Sequence, residues 1–379
     1  MNILVIGNGF DLAHGLPTKY SDFLNFVQDY ILYKDSKISN NDKHFNYFKS
    51  IYNSNPLLYI EIEELIRNNL WIDYFQSILT ERCNKGKDGW IDFESEISNI
   101  VQKLDEVRKG TAKQLEKGEG TVKINNQCSS RLNLIRLYTF NKYNADSIPK
   151  HKKKLLDDLN RLTRCLEIYL ADYVSSMYND CCYIAEIQEL KINRVLSFNY
   201  TDTYQRLYDR DFHAEYDYIH GKAVLQNTID ECNLILGIDE YLDEDERRKD
   251  NEFIQFKKFY QRIYKRTGCK YIDWLTGTVE QRRMKDHVEI QPRSNVFIYG
   301  HSLDITDGDI IERLITNANI TTTIFYHNKE ALGNQIANLV KIIGEDKLIK
   351  MTEGSNASIV FQKLSPTPTI MSVTKTEIT

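Results

Sequence analysis

Five short polar segments, each following an apolar stretch, contain the residue types that could do chemistry. They are residues 7–11, 197–202, 220–222, 237–239 and 300–304. In open parallel sheets a ligand binds outside the carboxyl ends of the strands, where loops from several strands meet. We therefore expect these segments to converge on one ligand pocket.

Asn199 and His220 are the two candidate catalytic residues. The asparagine amide offers a donor and an acceptor, which suits a ribose hydroxyl or a water molecule. An imidazole ionises near neutral pH and can act as a general base. Each residue also has a structural interpretation, Asn199 as a helix cap and His220 as a buried core histidine.

The other candidate residues are predicted to bind a nucleotide around this pair. Glycines let a phosphate or ribose approach the backbone, and amides at a helix start can bind an anion. Leu12 stands where a G-x-G-x-x-G motif needs its third glycine, so a tight turn alone is the alternative. The acids in the set could instead order their own loops. The predicted binding residues are Gly7, Asn8, Gly9, Phe10, Asp11, Tyr200, Asp202, Gly221, Gly300, His301, Ser302 and Asp307.

The apolar runs before these segments predict the elements that position them. Residues 3–6 form a short β-branched run ended by glycine, typical of a buried central strand. Further strands are predicted at 194–198, 216–219, 233–236, 295–299 and 322–326, with an edge strand at 358–362. Helical patterns at 202–208, 309–315 and 329–343 alternate with them. The alternation predicts an α/β fold with a Rossmann-like, mostly parallel sheet.

The chain is predicted to divide into a sheet domain, a helical insertion and a tail. Residues 1–44 and 190–363 form the α/β nucleotide-binding domain, residues 45–189 the insertion, and residues 364–379 a flexible tail. Ser21 is expected to cap a helix. Residues 105–127, which contain three glycines, are expected to form a mobile loop. The basic stretch 257–266 is interpreted as a solvated helix face in a segment that joins the insertion.

Composition limits the class of protein and its partners. With 41% hydrophobic residues the chain can bury a core, while a net charge of -5 and a pI near 6.0 make nucleic acid an unexpected partner. The seven cysteines lack any zinc-like spacing, so no metal is expected. We find no signal peptide and no membrane-length apolar run, and we expect a cytoplasmic protein.

Four motifs resemble the AbiH family of bacterial phage abortive-infection proteins. They are GNGFDLAHGLPTKYSDF, SFNYTD, IHGK and YGHSLDITD, in this order. That family is in turn distantly similar to the sirtuin-like NAD-binding fold. The resemblance implies that Asn199 positions the nicotinamide ribose or a water and that His220 is the base. The cysteine zinc module of sirtuin deacylases is absent, so protein deacylation is not expected.

The function that the resemblance implies is hydrolysis of NAD, as substrate rather than cofactor, when phage infects the cell. Self-association or sensing of a phage-derived trigger is assigned, as a hypothesis, to the helical insertion. One alternative is a nucleotide-binding sensor without turnover. Another is a nuclease or RNA-targeting toxin, which would require the basic stretch 257–266 to line the pocket.

Overall fold

The computed structural model describes residues 1–39, 41–84, 91–117, 147–275, 294–354 and 357–365. Within them, six strands form one sheet in which every neighbouring pair is parallel. The strands are β1 (Asn2–Ile6), β2 (Arg194–Ser197), β3 (Glu215–Tyr218), β4 (Ser294–Tyr299), β5 (Ile320–Tyr326) and β6 (Ile359–Lys363). The predicted α/β fold with a Rossmann-like parallel sheet is confirmed.

The sheet order is β3-β2-β1-β4-β5-β6, with β1 in the interior and β6 at an edge. Alternate residues of β1 enter different apolar clusters, Ile3 and Val5 on one face, Leu4 and Ile6 on the other. Because both faces are covered, the strand reads as a continuous apolar run. The order reverses between β1 and β4, which is where doubly wound sheets open a crevice for a ligand.

The described helices range from one turn to twenty-five residues. They are α1 (Asn8–Ala13), α2 (Tyr20–Lys34), α3 (Phe45–Ser54), α4 (Pro56–Ile66), α5 (Leu70–Asn84), α6 (Phe93–Lys117), α7 (Ser147–Ile168), α8 (Ala185–Gln188), α9 (Thr203–Tyr208), α10 (Glu244–Arg247), α11 (Lys258–Lys265), α12 (Gly308–Ile315), α13 (Lys329–Ile343) and α14 (Glu345–Thr352). A π-helical turn, Tyr169–Tyr173, and a 3-10 segment, Val174–Asp180, follow α7. None of the helices in the described ranges has the length and apolarity needed to cross a membrane.

The chain separates into two compact units. The sheet unit contains Met1–Thr18, Val174–Lys222 and Thr267–Thr379, and the helical unit contains Lys19–Tyr173 and Ala223–Arg266. In the helical unit, the ring of Phe93 stacks between those of Tyr20 and Phe75, with centroids 4.1 and 4.0 Å away. The tail beyond residue 365 lies outside the described residues.

The strand predicted at 233–236 is wrong. These residues belong to the helical unit, and their apolar side chains are buried without joining the sheet. Side chains of α11 replace a neighbouring strand: Gln261 bonds both backbone groups of Leu236, and Lys265 donates to the carbonyl of Leu234. A short buried apolar run does not by itself distinguish a strand from such a segment.

Two predictions about helices are also wrong. Residues 105–117, expected in a mobile loop, continue α6 to Lys117 despite Gly110, while 118–127 lie outside the described residues. Ser21 does not cap α2, because the helix already begins at Tyr20; the Asp22 carboxylate accepts from the backbone amide of Lys19 instead. A long amphipathic face in α6 outweighs the cost of about 1 kcal/mol for an internal glycine.

The basic stretch is not a solvated face. Lys257 and Lys258 are buried and pair with Glu240 and Glu94, at 2.7 and 2.6 Å. Buried lysines are tolerated only when their ammonium groups are paired and hydrogen-bonded. The charges of this stretch that face the interior of the helical unit are therefore neutralised there.

Candidate functional site

Predicted site residues of two different loops meet at the carboxyl end of the sheet. His220 follows β3, His301 follows β4, and Asp307 precedes α12. The imidazole Nε2 of His220 lies 3.3 Å from Asp307 Oδ1, and Nε2 of His301 lies 3.6 Å from Oδ2. One buried carboxylate therefore faces two buried histidines, although β2 and β1 separate the strands that carry them.

The proton on His301 is located by its hydrogen bonds. Its Nδ1 accepts from the backbone amide of Leu303 at 2.9 Å, so the proton of the neutral ring is on Nε2, facing Asp307. Leu303 has a φ of 57°, which is strained for a leucine, and its side chain is fully buried. Strain of this kind is retained where surrounding contacts over-determine a loop. The loop after β4 is therefore built around His301.

His220 has one nitrogen that is not used by the protein. With Nε2 facing the carboxylate, Nδ1 is buried and has no hydrogen-bond partner in the described part of the chain. The ring of Phe198 packs against both histidines, with centroids 5.7 Å from His220 and 4.3 Å from His301. Tyr200 lies near the same imidazole, at 6.5 Å between ring centroids. A buried nitrogen without a partner calls for a ligand or water.

The glycines of the first loop make close contact with the loop after β4. A Cβ on Gly9 would lie 2.8 Å from Gly300 Cα, and a Cβ on Gly300, at φ +66°, would lie 2.2 Å from the amide nitrogen of Phe10. Gly7 is equally close to His301. These glycines therefore bring the two loops together at the point where the strand order reverses.

The first amides of this loop are bonded within the protein. Gly7 donates to the carbonyl of Tyr299, Gly9 to that of Gly300, and Phe10 to that of Gly7. The Asn199 side-chain amide also donates to the Gly7 carbonyl, at 3.0 Å, and fixes the loop from the β2 side. The predicted phosphate contact at these glycines would have to use other donors.

Asp11 ends a chain of hydroxyl groups. Its Oδ2 accepts from Thr201 at 2.6 Å, Thr203 donates to Thr201 at 3.2 Å, and Tyr178 lies 3.1 Å from Thr203. Desolvation by burial raises the pKa of Asp11 to about 6, against the opposing influence of the nearby polar side chains. Thr201, Thr203 and Tyr178 are not among the predicted site residues; Thr201 lies in the SFNYTD motif, but nothing in the sequence indicates Tyr178.

The remaining predicted residues have varied surroundings. Asp202 pairs with Arg206 at 2.6 Å and Lys222 at 3.1 Å. Phe10 is buried in the core, and Asn8 accepts from Thr18. Ser302 is exposed, and Gly221 has a φ of +84°. The segment 237–239 belongs to the helical unit and not to the sheet edge.

The described ranges contain no metal cluster, and one cavity lies away from the predicted residues. Groups of three or more His, Cys, Asp or Glu side chains arranged for a metal ion are absent there. A cavity of about 630 Å³ belongs to the helical unit, where Arg108 and Lys152 on its wall pair with Asp250 and Glu252. Because three of its cationic side chains are already paired with acids of the same wall, it is a weaker candidate than the histidine pair.

Comparison with known proteins identifies the family. A search of curated proteins and a search of solved structures each found no match. The family model described as "Bacteriophage abortive infection AbiH" matches residues 3–327 and so spans all the predicted site residues. The chain therefore belongs to the AbiH family of bacteriophage abortive infection proteins.

Proposed function

We propose that this abortive infection protein hydrolyses NAD between nicotinamide and ribose when phage infects the cell. Two features support a nucleotide substrate: the strand order, which is that of dinucleotide-binding sheets, and the position of the candidate residues where this order reverses. The resemblance to sirtuin-like NAD-binding proteins, expected from the sequence motifs, is the reason for choosing NAD.

The observation that carries the proposal is the arrangement of His220 against Asp307. A carboxylate oxygen 3.3 Å from Nε2, within ion-pair distance but not aligned as a hydrogen bond, favours the tautomer with its proton there, which leaves a lone pair on Nδ1. That nitrogen is buried and has no hydrogen-bond partner in the described chain. Its basic lone pair would accept a proton from the attacking water.

The reaction needs little else from the protein. The water oxygen bonds to the ribose C1′, the electron pair of the breaking C–N bond leaves with nicotinamide, and the water proton moves to His220. Asp307 would stabilise the imidazolium that results. His301, with its Nε2 proton towards Asp307, would hold that carboxylate in place. Asn199 would act through the Gly7 loop, which it already fixes.

The nucleotide-binding sensor remains the second candidate. It is favoured by the internal bonds of Asn199, Gly7 and Gly9, which suit a fixed binding surface as well as they suit a reaction. A sensor requires the shape of this edge but not a base. Replacing His220 by alanine would then leave protection against phage intact.

Release of nicotinamide tests the proposal. Purified protein is mixed with NAD and an extract of phage-infected cells, and nicotinamide is measured by chromatography. We expect release with the unmodified chain and with His213→Ala, a control at an exposed histidine of the same unit. We expect a loss of roughly hundredfold or more with His220→Ala. Equal release by both variants would contradict the assignment of His220.

A further inference from the structure

Asp11 is a buried carboxylate that has no role in the proposed reaction. It lies in α1 directly after β1 and is 1% exposed. Its Oδ2 accepts from Thr201, so the Thr201 oxygen is left to accept from Thr203. Thr203 has then used its only proton, and the Tyr178 hydroxyl must be the donor in the remaining contact. All three hydroxyl protons point along the chain towards an ionised Asp11.

The second oxygen of this carboxylate has no donor. Oδ1 is buried and accepts no hydrogen bond in the described part of the chain, although the Thr203 and Asn199 side chains lie near the carboxylate and lower its pKa. None of the described cationic side chains forms an ion pair with Asp11. An ionised oxygen left in this state is costly, more so than a neutral polar group. The donors around Asp11 are therefore one short of what a buried carboxylate needs.

A ligand with a hydroxyl group would supply the missing donor. A carboxylate can only accept, so the ligand must bring an O–H or N–H. A phosphate brings negative charge, and the amides of Gly7, Gly9 and Phe10 that could have held it are bonded to the protein. A ribose presents neutral hydroxyl donors and suffers no such repulsion.

We propose that Oδ1 of Asp11 binds a ribose hydroxyl of the nucleotide, so that the glycine loop after β1 holds the sugar and not the pyrophosphate. This inference rests on the proposed function for the identity of the nucleotide. A negative group beside the ribose also has a chemical consequence, because positive charge develops on the sugar as the C–N bond breaks. Burial raises the pKa of Asp11 to about 6, which still leaves it mainly ionised at neutral pH.

Affinity for deoxy analogues tests the inference. NAD and analogues lacking one ribose hydroxyl each are titrated calorimetrically into the full chain carrying His220→Ala, which prevents turnover. We expect removal of one particular hydroxyl to weaken binding by roughly tenfold or more, as for a hydrogen bond to a charged group. Asp11→Asn should weaken binding of NAD itself and abolish the difference between NAD and that analogue.

The control is Asp217→Asn, which removes another buried carboxylate of the same unit, one that already accepts from the amide of Tyr271. This variant should keep the difference between the two ligands. The inference is overturned if NAD does not bind, if no hydroxyl matters, or if Asp11→Asn keeps the difference. The first two results need no Asp11 variant, so they remain decisive even if that variant does not fold.

The result is separable from the test of the reaction. Discrimination between ribose and deoxyribose that depends on Asp11, without release of nicotinamide, would contradict the hydrolysis and leave the ribose site standing. Release of nicotinamide without such discrimination would remove the ribose site and leave the hydrolysis standing.

Discussion

A single buried carboxylate, Asp11, links the stability of the sheet unit to pH. Burial raises its pKa from 3.8 to about 6, so the folded state holds the proton more tightly than the unfolded state does. The stability due to this proton is fully present below pH 3.8 and is lost as the pH rises through about 6. At higher pH the ionised group costs roughly 3 kcal/mol.

We predict that Asp11→Asn stabilises the protein at about pH 8, by roughly 1–3 kcal/mol, because the neutral amide removes this cost. Urea unfolding at about pH 8 and at about pH 4 measures the effect. The gain should vanish at the lower pH, where the carboxyl of the unmodified protein is also neutral. If Asp11→Asn were less stable than the unmodified protein at about pH 8, ionised Asp11 would not lower the free energy of unfolding, and the prediction would be wrong.

The identities of the candidate site residues could be predicted from the sequence, but their contacts could not. The types and positions of Asn199, His220 and Asp307 could be recognised because each follows or precedes an apolar run. The sequence could not show which nitrogen of His220 faces Asp307. That tautomer depends on distances of a few ångströms between residues whose strands are separated by two others. The partners of Asp11 were not predicted for the same reason, since Tyr178 is distant in sequence and lies in the 3-10 segment Val174–Asp180.

At the scale of an element, α1 and its C-terminal cap residue His14 carry two groups with opposite pH dependence. Burial lowers the pKa of His14 to about 4; its Nδ1 donates to the Phe10 carbonyl and its Nε2 accepts from Tyr208. A lowered histidine pKa gives stability that is present above 6.5 and lost as the pH falls towards 4. Between about pH 4 and 6 the effects of His14 and Asp11 oppose each other. In the Asp11→Asn variant only the loss of stability at low pH that is due to His14 should remain.

The loop after β4 offers a test that separates its shape from its contact with Asp307. In His301→Asn the side-chain oxygen can still accept from the amide of Leu303, as asparagine does in turns, but cannot reach the carboxylate. His301→Ala loses both contacts. We predict that both variants release nicotinamide roughly tenfold more slowly, while only the alanine variant loses about 1 kcal/mol of stability.

Nitrogen chemical shifts of His220 in the two variants provide a measurement that does not depend on activity. If His301 acts through Asp307, the His220 tautomer should become mixed in both. Full activity in His301→Asn would instead mean that His301 serves only to shape its turn.

The close contact between the loops after β1 and β4 predicts that Gly9 cannot be replaced by alanine without a loss of stability. Gly9→Ala places a methyl group 2.8 Å from the Gly300 Cα, where backbone must move, and should cost roughly 2–4 kcal/mol. The matched control is Gly333→Ala within α13, where no atom lies within 4 Å and helix propensity should add about 1 kcal/mol. Thermal melting of both variants measures the difference. Similar melting temperatures would show that the loops can separate without cost.

Elements were predicted well where the apolar pattern and the tertiary structure agree. The strands of the sheet were recognised because a sheet buried on both faces needs continuous apolar runs, and α13 was predicted with its observed bounds, Lys329–Ile343. The pattern failed at 233–236 and in α11, where side chains of Gln261 and Lys265 point inwards and bond buried backbone. Such replacement of a strand by side chains leaves no periodic signal.

At the scale of the whole molecule, the chain combines a sheet unit that contains the candidate site with a separate helical unit. Two lysines of the basic stretch, Lys257 and Lys258, are paired inside the helical unit and so are not available to bind RNA. Sensing of a phage-derived trigger and self-association remain proposals for that unit. The AbiH family places the protein in abortive infection, and the sheet unit supplies the proposed chemistry.

The most direct test of the account is the NAD content of infected cells, measured together with survival of the culture. Cells carry the unmodified chain, His220→Ala, or the exposed-histidine control His213→Ala. We predict that infection depletes NAD in cells with the unmodified chain and with His213→Ala, and that His220→Ala loses both NAD depletion and protection. Protection by the unmodified chain at a steady NAD level would contradict the account.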